Sequence, residues 1–222
     1  MYKEREARYP SLRVSEIFYS LQGEGLHQGL PTVFVRLAGC NLSCSWCDTL
    51  YARDFKSGKA LRISDIIEEV KKSRCEYVCI TGGEPLLQKP VRSLIHQLLR
   101  QGHQVDLETN GSVSLEKLPR DKRLFISMDI KCPSSKMEGK MLFSNIAKLR
   151  CTDQLKFVLA DLNDYKYAKN IVKKYKPDCN IIFMPVYGID PSFIAAQVLK
   201  DRLKARVLLQ LHKIIWGEKK GV

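Results

Sequence analysis

The sequence predicts an α/β fold with a mainly parallel sheet, in one domain that covers residues 1–222. Short apolar segments rich in β-branched and aromatic residues alternate along the chain with longer amphipathic segments. Strands that alternate with helices are typical of βαβ units, in which the strands run parallel. The 222 residues contain no Gly/Ser-rich linker, repeat or low-complexity tract, and they suffice for one domain with a sizeable core.

Eight segments have the composition of strands. In chain order they cover residues 12–19, 32–37, 77–80, 104–108, 124–130, 155–159, 180–184 and 206–211. Because the loops that follow parallel strands meet at one edge of the sheet, we expect functional residues at the carboxyl ends of these strands.

Five amphipathic segments predict helices, at residues 64–73, 90–101, 140–149, 163–175 and 191–203. In the first of them, Ile66, Ile67 and Val70 share one face, and Ser64 is placed to cap the N-terminus. The second begins with Pro at an initial position. It ends before Gly102, a residue suited to the turn that follows a helix.

The net charge of +13 has several explanations. Basic charge attracts anions, and nucleic acid is one of them. The lysines and arginines are nevertheless spread along the chain, without a basic stripe with interleaved aromatic residues or a common nucleic-acid motif. This favours a solvated basic surface over direct nucleic-acid binding. An acidic electron-donor protein is a third explanation.

The interpretation of the cysteine pattern depends on the cellular compartment of the protein. The charged N-terminus lacks the apolar centre of a secretion signal, and no apolar run approaches the ~18 residues that cross a bilayer. We therefore expect a cytoplasmic protein, in which clustered thiols more often bind metals than form disulfides. Five of the eight cysteines are scattered, and we expect them to be small buried hydrophobic residues: Cys75, Cys79, Cys132, Cys151 and Cys179.

The remaining three cysteines crowd into eight residues after the strand predicted at 32–37. They are Cys40, Cys44 and Cys47. Thiolates suit iron–sulfur clusters and zinc. A structural zinc or a complete electron-transfer cluster takes four protein ligands, so three on one loop leave a coordination position open. The alternative is a structural zinc completed by a distant residue such as Cys75 or His27.

The CxxxCxxC spacing, with Trp46 just before the last cysteine, resembles the radical S-adenosylmethionine superfamily. The segment Gly-Gly-Glu-Pro at residues 82–85, after a predicted strand, matches its second motif. The resemblance implies a partial, open β/α barrel and a 4Fe–4S cluster on the three cysteines, whose open iron binds S-adenosylmethionine. An electron from the cluster then cleaves this cofactor to a 5′-deoxyadenosyl radical. A side chain at Gly83 would obstruct the approach of the backbone to the methionyl amino group.

Further segments resemble the 7-carboxy-7-deazaguanine synthase family over nearly the whole chain. They are Ser-Leu-Gln-Gly-Glu-Gly at residues 20–25, Arg36, Asp-Thr at 48–49 and Gln-Leu-His-Lys at 210–213. The resemblance implies a carbon–nitrogen lyase that converts 6-carboxy-5,6,7,8-tetrahydropterin to 7-carboxy-7-deazaguanine and releases ammonia. The product leads to the tRNA bases queuosine and archaeosine. It also implies that the cofactor radical takes hydrogen from C6 and returns it, which regenerates S-adenosylmethionine.

The resemblance also implies roles for the substrate side. Glu24 is expected to act in catalysis together with the three cysteines. Arg36 offers a guanidinium fork for bidentate capture of the substrate carboxylate. Thr49 is expected to bind Mg²⁺, which keeps most of its waters and often takes only one or two protein oxygens. The substrate is expected to contact Leu21, Gln22, Gly23, Glu24, Arg36 and Thr81.

For S-adenosylmethionine, the resemblance implies a second set of contacts, some with open alternatives. Asp48 either contacts the cofactor or caps a helix. Lys131 either contacts the cofactor or is solvated. The full set comprises Trp46, Cys47, Asp48, Gly82, Gly83, Glu84, Glu108, Ser127, Asp129 and Lys131.

The family resemblance further implies a homodimer and a flavodoxin- or ferredoxin-type electron donor, with no membrane association. Residues 214–222 form a basic extension beyond the His-Lys pair, which puts a substrate-binding role for the C-terminus in doubt. Two other function classes remain. One is an activating enzyme for a glycyl-radical protein, and the other is a non-enzymatic iron–sulfur or zinc module that binds nucleic acid. The polar residues at 22, 24 and 36 weigh against the activating enzyme, because a small-molecule pocket needs such groups.

Overall fold

A computed structural model describes residues 10–219 and 221–222, which fold around one nine-stranded sheet. In chain order the strands are β1 (Ser11–Leu21), β2 (Pro31–Leu37), β3 (Lys59–Arg62), β4 (Tyr77–Gly82), β5 (Gln104–Thr109), β6 (Leu124–Ile130), β7 (Gln154–Leu159), β8 (Asn180–Pro185) and β9 (Arg206–Val207). Their spatial order is β3-β1-β2-β4-β5-β6-β7-β8-β9. Within the described residues the two outer strands do not pair, so the sheet is a partial, open barrel, as predicted.

The direction of the first strand differs from that of the others. From β2 and β4 through β9 every neighbouring pair is parallel, whereas β1 runs antiparallel to both β2 and β3. Leu21 at the end of β1 therefore lies opposite Pro31, at the amino end of β2. The segment after β1 enters the barrel from the amino ends of the parallel strands. The segment does follow the carboxyl end of its own strand, but because β1 is antiparallel this end lies at the opposite edge of the sheet from the carboxyl ends of the parallel strands.

In the described residues, five α-helices connect or follow the strands. They are α1 (Ile63–Lys72), α2 (Val91–Arg100), α3 (Leu162–Tyr175), α4 (Ser192–Lys200) and α5 (Leu211–Trp216). The first two have a fully apolar inner face; in α2 it comprises Val91, Leu94, Ile95, Leu98 and Leu99. Gly102 follows α2 with a φ of 95°, which confirms its place beyond the helix end. None of the helices in the described part of the chain is long and apolar enough to cross a membrane.

Some local predictions are wrong. Residues 140–149 form no α-helix but two 3₁₀ turns, Glu138–Lys140 and Phe143–Lys148. The carboxamide of buried Asn145 accepts a hydrogen bond from Leu115 and donates to two backbone carbonyls, which competes with helical pairing. Ser64 lies inside the first turn of α1 and not at its cap, and its hydroxyl donates to Asp65.

Further differences concern strands and cysteines. Strand β3 was not predicted from composition, because it is charged. It pairs with β1 at the exposed edge of the sheet and needs no apolar face. The strand predicted at 206–211 ends at Val207, and α5 begins at Leu211. Cys79 and Cys132 are buried as expected, but Cys75 and Cys179 are only half-buried, and Cys151 is exposed because it lies in the turn before β7.

Candidate active site

A cavity of about 470 Å³ lies inside the open barrel. A space of this size suits a small organic ligand. Its wall is formed by the segment after β1, the cysteine loop after β2, the turn after β4, the carboxyl ends of β5 and β6, and the chain from residue 210 onwards. Most of the predicted site residues line it: Leu21, Gln22, Gly23, Glu24, Arg36, Cys40, Cys44, Trp46, Cys47, Asp48, Thr49, Thr81, Gly82, Gly83, Glu108, Asp129 and Lys131.

The cysteine loop is fixed to the barrel at several points. At its start, the amide of Cys40 donates to the Arg53 carbonyl at 2.9 Å. At its far end, the Ser45 hydroxyl donates to the Ser134 carbonyl at 2.6 Å. The indole of Trp46 donates to the Ser134 hydroxyl at 3.1 Å. All three cysteines of the loop that is held in this way line the cavity.

The three thiols fit an iron–sulfur cluster better than a structural zinc. Burial raises the pKa of Cys40 and Cys44, so a metal is needed to hold them as thiolates. Among residues 10–219 and 221–222, no three His, Cys, Asp or Glu side chains converge on a single ion. The proposed fourth zinc ligands lie at the amino ends of the strands. There the Cys75 thiol donates to the Pro31 carbonyl, and His27 pairs with Asp106 at 2.8 Å.

The Gly-Gly turn after β4 packs directly under the cysteine loop. A Cβ on Gly83 would lie 2.3 Å from the Gly39 carbonyl oxygen and 2.8 Å from the Cβ of Cys40. The amide of Glu84 donates to the same Gly39 carbonyl at 2.8 Å. Gly83 is therefore required by the contact between two loops, in addition to the predicted approach of the cofactor.

Two predicted cofactor residues, Glu84 and Ser127, do not line the cavity. The Glu84 carboxylate is fully buried and accepts hydrogen bonds from the amides of Leu86 and Asn110 and the hydroxyl of Thr109. Burial raises the pKa of Glu84 to about 7, although these donors act against it. The Ser127 hydroxyl accepts from the Gln154 amide at 2.6 Å. Both side chains lie outside the cavity lining and bond to other protein groups, so the structure does not place them for direct contact with a cofactor.

Arg36 is held at one edge only. Its Nε donates to Glu16 Oε1 at 2.7 Å, and the hydroxyl of Tyr51 donates to the same oxygen at 2.6 Å. The guanidinium carbon lies 5.6 Å from the centre of the Phe18 ring, which stacks on Phe34. Within the described residues its two Nη groups donate to no other side chain. A ligand in the cavity can therefore use them.

Further polar groups line the cavity besides Arg36. Glu24 accepts from Gln210 Nε2 at 2.8 Å and pairs with Lys156. Burial alone raises the pKa of Glu24, but the charge of Lys156 and the hydrogen bonds outweigh burial and lower it to about 2. Glu108 accepts from the Thr81 hydroxyl at 2.8 Å, and burial raises its pKa. Glu24 is thus an ionised acceptor facing the cavity.

The two residues after Cys47 form an oxygen pair. The Thr49 hydroxyl donates to Asp48 Oδ1 at 2.8 Å, and the other oxygen of Asp48 lies 3.9 Å from Lys213 Nζ. The following 3₁₀ turn, Leu50–Ala52, has no side-chain cap. The capping alternative for Asp48 is therefore wrong.

Lys131 is buried, so the solvated alternative is wrong for this residue. Its ammonium pairs with Asp129 Oδ2 at 2.6 Å and lies 5.2 Å from the centre of the Trp46 ring. Burial lowers its pKa, but the charge and hydrogen bond of Asp129, together with the nearby Cys44, outweigh burial and raise it. These contacts place a cation beside the cysteine loop.

The structure adds site residues that the sequence analysis did not assign. The most informative are Lys156, on β7, and His212, in α5. The ring of His212 packs so closely on Gly23 that a Cβ there would lie 2.0 Å from Nδ1. Gln210, Lys213 and Tyr187 line the cavity too. Glu218 and Val222 also line the cavity, so the extension doubted above folds back to the site.

Comparisons with known proteins agree with this geometry. Residues 34–150 match the sequence model of the Radical SAM superfamily. The 7-carboxy-7-deazaguanine synthase of Methanospirillum hungatei is 46% identical over 213 residues, which cover 94% of this chain and 87% of the relative. That of Thermoplasma acidophilum is 40% identical over 209 residues, with 94% and 99% covered.

Solved structures share the fold. The crystal structure of QueE from Escherichia coli superposes with a TM-score of 0.76 at 20% identity, covering 96% of this chain and 99% of that one. Streptococcus suis SuiB, bound to its precursor peptide SuiA, gives a TM-score of 0.61 at 12% identity over 79% of this chain and 47% of that one. From its cysteine loop, its cavity and these relatives, the chain belongs to the 7-carboxy-7-deazaguanine synthase family of the radical S-adenosylmethionine superfamily.

Proposed function

We propose that this chain converts 6-carboxy-5,6,7,8-tetrahydropterin to 7-carboxy-7-deazaguanine with release of ammonia, in the biosynthesis of the 7-deazapurine bases queuosine and archaeosine. One observation carries the proposal. A single cavity is lined both by the three cysteines and by a set of fixed polar side chains. Cys40, Cys44 and Cys47 would hold the 4Fe–4S cluster. When bound, the cluster and S-adenosylmethionine supply the radical that removes hydrogen from C6 of the pterin.

Arg36 would bind the substrate carboxylate. Its free Nη groups form a planar fork, and such a fork binds a carboxylate through two parallel hydrogen bonds. Glu16 and Tyr51 fix the orientation of the guanidinium before the ligand arrives. Little side-chain freedom is then lost on binding.

Glu24 and Gln22 would orient the pterin ring. The ring carries N–H donors and a carbonyl acceptor, and an ionised carboxylate beside an amide matches both. Glu24 remains ionised because Lys156 compensates its charge. Apolar side chains, among them Leu21, Phe34 and Leu42, line the rest of the cavity and keep water from the reacting carbon.

On the cofactor side, Trp46, Asp129 and Lys131 would form the wall beside S-adenosylmethionine. Gly82 and Gly83 would bring the backbone close to its methionyl group. Thr49 would bind Mg²⁺ together with waters and substrate oxygens. Its hydroxyl and the adjacent Asp48 carboxylate support this assignment, because Mg²⁺ prefers oxygen ligands of this kind.

We also propose the setting in which the enzyme works. The chain would act as a single domain within a homodimer, and an open iron site requires a reducing compartment such as the cytoplasm. A flavodoxin- or ferredoxin-type protein would supply the electron. The net charge of +13 supports an acidic donor, because opposite charge speeds association.

The test is an anaerobic assay. The protein is reconstituted with iron and sulfide, reduced, and mixed with S-adenosylmethionine, Mg²⁺ and the tetrahydropterin. We expect wild type to form 7-carboxy-7-deazaguanine, detected by mass spectrometry, and Cys44→Ala to form none. Omission of Mg²⁺ should lower the rate. Accumulation of 5′-deoxyadenosine without that product would leave the radical chemistry intact and overturn the substrate assignment.

A further inference from the structure

Lys156 is a lysine in the interior of the barrel. It lies on β7, where its neighbours Leu155 and Phe157 are buried, and its own side chain is only 7% exposed. A buried ammonium is costly unless it is paired. Because Lys156 is buried beside the cavity, we expect it to fix the positions of the groups with which it pairs.

The partners of Lys156 come from two different walls of the cavity. Its ammonium contacts Glu24 Oε2, on the segment after β1, and lies 3.2 Å from Asp129 Oδ1, on β6. Asp129 is the direct register neighbour of Lys156 in the parallel pair β6–β7. One cation thus bridges a carboxylate on the substrate side and a carboxylate on the cofactor side.

Each carboxylate uses its second oxygen for another fixed partner. Glu24 Oε1 accepts from Gln210, and Asp129 Oδ2 pairs with Lys131, which lies over the Trp46 ring. The result is a continuous chain of polar contacts from Gln210 to Trp46. The charges of Glu24, Lys156, Asp129 and Lys131 cancel, so the chain is neutral as a whole.

We propose that Lys156 is a positioning residue that holds Glu24 and Asp129 in one arrangement and thereby couples the pterin half of the cavity to the cofactor half. The inference rests on the proposed function for the identity of the two ligands. Without Lys156, two carboxylates would face each other across a buried gap, with Glu108 nearby. Like charges repel there, and Glu24 and Asp129 would lose their common anchor.

The test begins with equilibrium binding of the tetrahydropterin, measured anaerobically by calorimetry. We expect Lys156→Met to weaken binding on the order of tenfold or more, while Lys156→Arg, which keeps the charge, restores part of the affinity. The control Lys72→Met removes an exposed surface pair and should change nothing. Thermal unfolding checks that each variant is folded, and the neutral double variant Glu24→Gln/Lys156→Met avoids an uncompensated buried charge.

The decisive readout is a double-mutant cycle. If Lys156 acts through Glu24, the loss of pterin affinity in Glu24→Gln/Lys156→Met is about that of one single variant and not the product of two. Independent losses, or wild-type affinity in Lys156→Met, would overturn the inference. A purely structural role would lower the unfolding temperature without this coupling.

A second cycle separates this inference from the proposed function. Binding of S-adenosylmethionine to the reconstituted protein needs no pterin, and we expect Lys156→Met and Asp129→Asn to weaken it in a coupled manner. If wild type neither binds nor converts the pterin, the proposed function fails. The cofactor cycle then still decides the role of Lys156, because additive effects on cofactor affinity would contradict it.

Discussion

Single residues in this cavity are prepared for their ligands by partners that the protein itself supplies. The Nε edge of Arg36 is occupied by Glu16, while the Nη edge is left for a ligand. Glu24 is buried yet ionised, because Lys156 offsets the cost of burial. Each such group is fixed before substrate binds, which is how a small set of polar side chains orients a ligand.

Arg36→Gln should therefore raise KM for the tetrahydropterin on the order of a hundredfold, because a charge-assisted pair to the substrate carboxylate is lost. Arg36→Lys should lie between it and wild type, since an ammonium keeps the charge but lacks the fork. Steady-state kinetics measures both. The control Arg123→Gln breaks a surface pair with Asp121 and should leave KM unchanged. An unchanged KM in Arg36→Gln would show that the substrate carboxylate does not bind at Arg36.

What the sequence reveals at this scale depends on the kind of signal. Cys40, Cys44 and Cys47 are recognisable from spacing alone, because adjacent loop residues share a site. The sequence does indicate a partner for Lys156, because this lysine stands inside an apolar strand. Lysines in such positions are almost never buried without a partner. Its partners could not be predicted, because they stand at positions 24 and 129 and only the fold brings them together.

At the scale of elements, two loops form the cofactor side by packing on each other. The Gly-Gly turn after β4 lies against the backbone of Gly39 and Cys40, and the buried Glu84 joins this turn to the end of β5. The position of the cysteine thiols therefore depends on a turn more than forty residues further along the chain. Sequence motifs mark both loops but do not reveal their contact.

Gly83→Ala should disturb the cysteine loop, because its Cβ would lie 2.3 Å from the Gly39 carbonyl. We expect a lower unfolding temperature and a reduced iron content after reconstitution. The matched control is Gly139→Ala, whose Cβ has no neighbour within 4 Å. Normal stability and full iron loading in Gly83→Ala would contradict the proposed packing constraint.

The segment between β1 and β2 is held at the opposite, amino end of the barrel by His27. Its Nδ1 lies 2.8 Å from Asp106 Oδ1, and its ring contacts Phe125 and Tyr77. The hydrogen bond to Asp106 raises the pKa of His27 above its usual 6.5. The stability from this ion pair is thus fully present below pH 6.5 and is lost as pH rises through the folded-state pKa.

His27→Gln should therefore cost about 1–2 kcal/mol of unfolding free energy near pH 6. The cost should be smaller near pH 9, where His27 is neutral and no longer forms an ion pair with Asp106. Denaturant unfolding at several pH values measures it. Asp106→Asn should remove the same pH dependence, whereas exposed His96→Gln should not. A cost that does not change with pH would exclude the ion pair as its source.

At the scale of the whole molecule, alternating strands and helices were sufficient to predict the α/β class and the parallel sheet. Periodicity does not report strand direction, so the antiparallel β1 and the entry of residues 22–24 from the amino end could not be foreseen. Local hydrogen bonds at Asn145 overrode the helical pattern at 140–149. The open barrel was predicted by family resemblance and not by periodicity.

The same topology brings three of the eight cysteines together at the cavity and places the other five elsewhere in the fold. Only the loop after β2 brings three thiols to the cavity. We expect reconstituted wild type, Cys75→Ala and Cys151→Ala to bind about four irons per chain. Alanine at Cys40, Cys44 or Cys47 should lose most of this iron and its visible absorption. Loss of iron in Cys75→Ala would instead support a metal site in which Cys75 is a fourth protein ligand.

The most direct test of the account is the amount of 7-carboxy-7-deazaguanine formed per S-adenosylmethionine consumed, in the anaerobic reaction of wild type with 6-carboxy-5,6,7,8-tetrahydropterin. Loss of ammonia from the substrate requires no net oxidation, so the proposed reaction can return the hydrogen and regenerate the cofactor in each cycle. We therefore predict many molecules of 7-carboxy-7-deazaguanine for each 5′-deoxyadenosine released. One 5′-deoxyadenosine for each product, or 5′-deoxyadenosine with no product, would contradict this prediction.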